Sequence, residues 1–335
     1  MRTYIISQRI VFLLLLTCLL ALSACGQSSP PTTSGGQSSK PTPTPTQQLD
    51  AYGTPITFPQ TAPQRIISLT PSTSEILGAL QLQSRVVAVD SFTNYPAALA
   101  NLPKVSDANG TYNVEKIVAL HPDLILSSGG LTSKYDSQLK QLNLHVVDLP
   151  AVDFDHAIQQ IAVIGRLTLT QNVANALVQQ LQQQEAQVKT EVASTTTTPK
   201  VLLEADDSTP GKPYVFGGGS FGDQMLQYAH AANIFHSNTN NQGYPQVTDE
   251  AVIVANPQYV VLTEDPAYGG SPSLVYKRAN WGGIMAVKSH HVYHLNTDIM
   301  QRPGPRLVEG LRCVAQVVHP DKFPGALPAY CTGSI

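Results

Sequence analysis

The stretch Asn172–Ala193, NVANALVQQLQQQEAQVKTEVA, reads as one uninterrupted helix. Val173, Leu177, Leu181, Val188 and Val192 recur at spacings of four, four, seven and four, which puts them on one stripe. No Gly or Pro breaks the run, and Gln, Glu, Lys and Ala are good helix formers. At 1.5 Å per residue it forms a rod of roughly 33 Å. The apolar stripe is narrow, so the rod lies along a surface and is not buried on all sides.

The segments on either side of the rod resemble each other. Val114-Glu-Lys-Ile-Val-Ala-Leu-His-Pro-Asp-Leu-Ile-Leu126 matches Asp249-Glu-Ala-Val-Ile-Val-Ala-Asn-Pro-Gln-Tyr-Val-Val261 at a constant offset of 135. Glu115 meets Glu250 and Pro122 meets Pro257. Each copy reads as a short helix, a Pro stop and a buried strand. With the rod between them, the chain is expected to form two similar lobes joined by a helix.

The lobes alternate strands and helices. Arg65–Leu69, Val86–Asp90, Asp123–Ser127 and His145–Leu149 are apolar strands of the first lobe; Lys200–Glu204, Gln258–Thr263 and His291–Leu295 are those of the second. The fold class is therefore α/β, with two Rossmann-like lobes of mainly parallel sheet on one long backbone helix. Ligands in such sheets bind beyond the carboxyl ends of the strands. Two lobes on a rod place those ends face to face, so a ligand cleft is expected between them. The expected boundaries are an N-terminal lobe over 62–168, the linking helix over 169–195 and a C-terminal lobe over 196–335.

Before the first lobe, Arg2 and Arg9 flank a basic start and Ile10–Leu22 is a short apolar run. It ends in Leu22-Ser-Ala-Cys25, which resembles the lipobox of bacterial lipoproteins. That resemblance implies a signal peptide over 1–24, cleavage before Cys25 and lipid on its sulfur. Residues 25–61 are expected to hold the anchor and a disordered tether. From Gly26 to Gln48 the tether has no large apolar residue, and Pro41-Thr-Pro-Thr-Pro-Thr46 favours extended polyproline geometry. The mature chain is thus extracytoplasmic and held on the outer face of the membrane. There, the remaining pair Cys313 and Cys331 is most simply a disulfide. A formal net charge of −3, with 13% charged residues and no basic stripe, argues against nucleic acid as a partner.

Pro71-Ser-Thr-Ser-Glu75-Ile after the first strand, the Glu115–Leu126 block, Gly243-Tyr-Pro-Gln-Val247 and Arg302-Pro-Gly-Pro-Arg306 resemble the solute-binding proteins of cobalamin and ferric-siderophore ABC importers. The resemblance covers about residues 63 to 320. It implies two α/β lobes bridged by one helix, no catalysis and a monomer. It also implies delivery of a metal chelate to an importer's permease and ATPase. No resident cofactor is expected; the metal arrives with the ligand.

By that resemblance, Phe92, Tyr214 and Tyr244 stand near aromatic positions of the ligand cleft, and Tyr112 lies close to another. Asp265 and Arg302 complete the expected ligand-binding set. Tyr suits a large flat ligand with a polar rim. A ferric catecholate is a polyanion and wants several Arg or Lys. The loops offer Lys212, Arg302 and Arg306 against Asp206, Asp207, Glu264, Asp265 and Asp298, which favours a near-neutral corrinoid or ferric hydroxamate. In the family each lobe presents a surface Glu to Arg on the permease. Glu75 is the expected anchor of lobe one. In lobe two Gln227 stands where the family has Glu, and Asp223, one turn earlier, is the expected substitute.

Two alternatives compete. His290, His291 and His294 invite a zinc or manganese reading, but on a strand His291 and His294 point to opposite faces. Gly217-Gly-Gly-Ser-Phe-Gly222 fits both a dinucleotide and a serine-hydrolase fingerprint. Only the short Tyr214-Val-Phe216 precedes it, so a loop capping the next helix is the plainer reading.

Overall fold

Short runs rich in Ile, Val and Leu build two sheets, the first almost wholly buried and the second buried at its centre. In the computed structural model, which describes residues 47–333 with the side chain of Tyr268 apart, the first sheet contains β1 (Ile66–Ser68), β2 (Val86–Val89), β3 (Leu124–Ser128) and β4 (Val146–Leu149). Its order is β2-β1-β3-β4 and every pair is parallel. Continuous apolar strands suit a sheet covered on both faces, because neither face meets water. The second sheet contains β5 (Lys200–Asp206), β6 (Tyr214–Val215), β7 (Ala232–Asn233), β8 (Tyr259–Leu262) and β9 (Val292–His294). β5, β8 and β9 run parallel, and β7 pairs parallel with the start of β5. β6 pairs antiparallel with its end.

The rod forms one helix over Gln171–Val192. Its buried stripe differs by a residue from the expected one at the start. Ala174 and Val178 are buried with Leu181, Val188 and Val192, while Val173 is 44% exposed. The reason is a close approach of small residues. A Cβ placed on Gly165, in the preceding Phe154–Leu167 helix, would lie 2.2 Å from that of Ala174. Two backbones meet there without intervening side chains, and the rod turns Ala174 inward.

The tether ends sooner than expected. Residues 47–61 pack on the first lobe: Leu49 bridges Pro55, and Ala51 N–H donates to Asp148 O (2.8 Å) beside the β4 edge. Tyr52 donates to Asp136 Oδ2 (2.7 Å) or Asp148 Oδ2 (3.0 Å), and Lys140 pairs with Asp50 (3.0 Å). Ile56 and Phe58 also pack on the core, and the Arg166 guanidinium lies 3.6 Å from the Phe58 ring centre; so few apolar residues among polar ones leave no periodic pattern for hydropathy to read. The proposed signal peptide, Cys25 and the tether up to residue 46 lie outside the described residues. From Gln47 onward the chain forms one compact unit. Cys313 and Cys331 are joined by a disulfide that links the last long helix, Leu307–Val318, to the tail.

Candidate ligand-binding site between the lobes

The carboxyl ends of β2, β3 and β4 each lead to an exposed apolar side chain: Phe92 (52% exposed), Leu131 (79%) and Val152 (59%). Phe92 is held outward by the turn beneath it. Its N–H donates to Asp90 Oδ1 (2.7 Å), Thr93 Oγ1 donates to Asp90 Oδ2, and Lys104 Nζ donates to Thr93 O (2.9 Å). Asp90 is fully buried, and burial pushes its carboxyl above the usual range. Leu131 follows Gly129 and Gly130, both at positive φ, where a side chain would be strained.

The second lobe meets this face through the segment after β9. Arg302 Nη1 donates to Asn94 Oδ1 (2.6 Å) and Glu75 Oε1 (3.3 Å), and its Nη2 reaches Phe92 O (3.4 Å) and Asp298 Oδ1 (2.6 Å). Asn94 Nδ2 donates to Asp298 Oδ2 (3.0 Å). Arg306 grips Glu75 with two bonds, Nε to Oε2 (2.9 Å) and Nη2 to Oε1 (2.6 Å), and its guanidinium lies 4.3 Å from the Tyr95 ring centre. Gln301 Nε2 ties this segment to Ala205 O (2.7 Å) and Thr263 Oγ1 (3.0 Å) at the ends of β5 and β8.

A second ionic cluster lies at the end of β5. Arg278 binds Glu204 through Nη1 and Nη2 (2.6 Å each) and Asp207 through Nη2 (2.7 Å), and its guanidinium lies 4.5 Å from the Trp281 ring centre. Glu264 is 4% exposed. Burial, with the nearby Glu204 charge, pushes its carboxyl up to about 8. The backbone crowds it: a Cβ on Gly270 would lie 2.0 Å from Glu264 O, so only glycine fits. His294 Nε2 is 3.0 Å from that same carbonyl.

Of the residues expected at the ligand, Phe92 and Arg302 come together across the lobes. Tyr214 is half-buried at the start of β6, bridged to Gln246. Asp265 is exposed and caps the Pro266–Tyr268 turn by accepting from Ala267 N–H (2.7 Å). Two expectations need correction. Tyr112 packs edge-on against Tyr135 (5.0 Å) and its hydroxyl is bonded to Leu69 O, so it closes the end of β1. Tyr244 is half-buried among Phe216 (5.2 Å) and Phe221 (6.1 Å), and burial pushes its phenol well up. Both rings serve packing, because a loop tyrosine and a core tyrosine look alike in sequence.

The expected docking anchors are also corrected. Glu75 is 2% exposed and committed to two arginines of the other lobe. Asp223 is 3% exposed and accepts from Asn233 Nδ2 (2.8 Å) and Gln227 Nε2 (2.9 Å), with His236 Nδ1 at 3.0 Å. Gln227 itself is exposed. Glu75 sits just past the first turn of its helix and Asp223 within the first turn of its own, and neither position decides between solvent and burial. The glutamates that are exposed at equivalent places are Glu115 and Glu250, in the first turns of the Val114–Ala119 and Asp249–Ala255 helices. The internal repeat had already paired them.

The histidines are engaged separately: His291 stacks on Tyr259 (4.6 Å), while His294 faces Glu264 O. Ser220 is buried; it donates to Gly217 O (2.7 Å) and caps the Phe221–Tyr228 helix by accepting from Asp223 N–H (3.1 Å). Sequence reasoning missed Leu131, Val152, Asn94 and the Arg278 cluster. Exposed apolar residues after successive strands were the available signal for the first two. The ion pairs left none.

Two parallel-sheet lobes on one helix, with strand ends meeting across a polar junction, define a bilobal solute-binding architecture. The chain belongs to the periplasmic binding protein family, whose model matches residues 66–299. An uncharacterized ABC transporter substrate-binding lipoprotein of Bacillus subtilis, YvrC, is 34% identical over 267 residues, covering 78% of this chain and 82% of that one. The vitamin B12-binding protein of Vibrio cholerae is 27% identical over 253 residues, covering 75% and 87%. Among solved structures, the Vibrio cholerae periplasmic vitamin B12-binding protein BtuF superposes with a TM-score of 0.66 at 25% identity, over 78% of this chain and 99% of that one. A ferric hydroxamate transport protein of Saccharomonospora viridis superposes with a TM-score of 0.65 at 25% identity, over 82% and 97%.

Proposed function

We propose that this chain is the extracytoplasmic receptor of an ABC importer, anchored through lipid on Cys25, and that it captures a near-neutral metal chelate. A cobalt corrinoid or a ferric hydroxamate fits best, and the metal comes with the ligand. The observation that carries this reading is the chemistry of the strand ends. Phe92, Leu131 and Val152 offer apolar contact, while Arg302, Arg306 and Arg278 are already ion-paired within the protein. Of the other charged residues in the cleft loops, Lys212 stands against Asp206, Glu264 and Asp265. A polyanion would find little free positive charge there, whereas a flat neutral face finds area to cover. Relatives are named for vitamin B12 and for ferric hydroxamate, and a haem-binding protein of Pseudomonas aeruginosa is also similar, at 25% identity, so the choice rests on the chemistry of the strand ends.

Docking to the permease falls to Glu115 and Glu250 in place of Glu75 and Asp223. Both open helices capped by a side chain: Asn113 accepts from Lys116 N–H (2.8 Å) and Thr248 from Ala251 N–H (3.3 Å). The two helices match in sequence, so each lobe offers one exposed carboxylate in the same setting.

A thermal-shift panel of cyanocobalamin, ferrichrome, ferric enterobactin, haemin and zinc tests the ligand class. Ligand at 100 times its Kd adds about 2.7 kcal/mol to stability. The reading expects a shift with cyanocobalamin or ferrichrome. A shift with ferric enterobactin, haemin or zinc alone would overturn it.

A further inference from the structure

The lobes touch at two places with different chemistry. On the side of the linking helix the contact is mostly neutral. Gln224 of the second lobe accepts from Phe154 N–H (2.7 Å) and Asp155 N–H (3.3 Å), so it caps a helix of the first lobe. Tyr228 donates to Asp155 (2.9 Å to Oδ1) and its ring lies 5.6 Å from that of Phe154. On the strand-end side the contact is ionic and built around one carboxylate.

We propose that Glu75 is the first-lobe half of an interlobe latch, with Arg306 and Arg302 as the second-lobe half. The latch holds the lobes together at the strand ends and positions Arg302 beside Phe92. It does not depend on which ligand the site takes.

The Glu75 side chain is 1% exposed, and a carboxylate taken out of water needs a partner. Its ion-pair partners among the described residues are Arg302 and Arg306, at 227 and 231 positions' remove in the chain. Lobe one supplies none of them, so the buried charge is compensated only while the lobes are in contact. Separation would leave the carboxylate to water.

Geometry adds precision. Arg306 holds both oxygens of Glu75 with two donors, and a bidentate fork fixes orientation as well as distance. The Pro303-Gly304-Pro305 loop lies against the first turn of the Pro71–Ala79 helix: a Cβ on Gly304 would sit 3.6 Å from Glu75 Oε2 and 3.6 Å from Ser72 O. Arg302 then carries the contact outward to Asn94 and Phe92 O, which ties the exposed ring to the latch.

The contact is also reversible in character. Arg306 Nη1 is buried with no hydrogen-bond partner among the described residues. The joined state thus leaves one charged donor unsatisfied, and opening hydrates it. Glu75 and Asp298 balance Arg302 and Arg306, and Glu309 lies close enough to Arg306 and Glu75 to add negative charge.

The test is a distance measurement on the full chain in detergent, without ligand. Spin labels at Ser137→Cys and Ala279→Cys span the lobes; labels at Asn101→Cys and Ser137→Cys, both exposed, report within lobe one. The unsubstituted network should give a narrow interlobe distribution. Glu75→Gln and Arg306→Gln should each shift it to longer distances, the double variant no further than the larger single one, and the intralobe distance should stay fixed. Should Glu75→Gln fail to fold, Arg306→Lys, which keeps the charge and removes the fork, takes its place and should also lengthen the distance. An unchanged interlobe distribution in a folded variant, or an intralobe distance that moves with it, would overturn the latch.

Discussion

Glu264 is a buried carboxyl whose proton couples folding to pH. It is 4% exposed, its Oε1 has no hydrogen-bond partner among the described residues, and burial pushes its carboxyl up to about 8 from 4.5. The folded protein therefore holds this proton more tightly than the unfolded chain does. Its contribution is fully present below about pH 4.5 and is lost as pH rises towards about 8. The loss is at most about 1.4 kcal/mol for each pH unit crossed. His145, His294 and His319 act in the other direction: burial lowers each, so their contribution is lost as pH falls below the ordinary histidine range. Glu264→Gln isolates the acid. Its melting temperature should gain on the parent protein as pH rises from about 5 to about 8. Two curves that stay parallel would contradict the assignment. The disulfide belongs to the same scale. It closes a loop of 18 residues, and its loss should cost about 3 kcal/mol. Thiol titration of denatured, unreduced protein should find neither Cys313 nor Cys331 reactive; two free thiols would contradict it. That pair was legible because few cysteines compete for partners. Tyr112 and Tyr244 were not legible as packing residues, since nothing in sequence distinguishes a wet ring from a packed one.

The linking helix is the element on which the architecture turns. Its length and period could be read directly, because Gln, Ala and Leu without Gly or Pro leave few other choices. Its buried face was read one residue off near the start. Gly165 and Ala174 hold the close contact there, and neither adds much to a hydropathy pattern. Gly165→Val should overpack this crossing and destabilise the protein by about 1–3 kcal/mol in urea unfolding. A change under about 0.5 kcal/mol would mean the helices can part at little cost. The strap over residues 47–61 escaped notice for a related reason: Tyr52 and a backbone bond hold it to β4, Asp50 holds it to the Ser133–Gln141 helix, and only Ile56 and Phe58 add apolar packing.

At the scale of the whole molecule, the two lobes were legible from a repeat of thirteen residues at an offset of 135. Short helix and strand cannot move far relative to one another when they pack on the same sheet, so the repeat carried the topology. The junction between the lobes was not legible. Glu75 and Arg306 are 231 positions apart, and no local pattern couples them. The same repeat points to Glu115 and Glu250 as the proposed docking carboxylates. Glu115→Ala with Glu250→Ala should abolish uptake of the chelate while ligand affinity stays unchanged; normal uptake in the double variant would contradict docking there. The strand-end face around Phe92 is proposed to take a near-neutral chelate. Titration calorimetry of the full chain with cyanocobalamin and with ferrichrome, beside the Phe92→Ala variant, measures it most directly. A one-to-one complex with one of the two is expected, weakened by roughly 1–3 kcal/mol in the variant. No heat with either ligand, or an affinity untouched by Phe92→Ala, would contradict it.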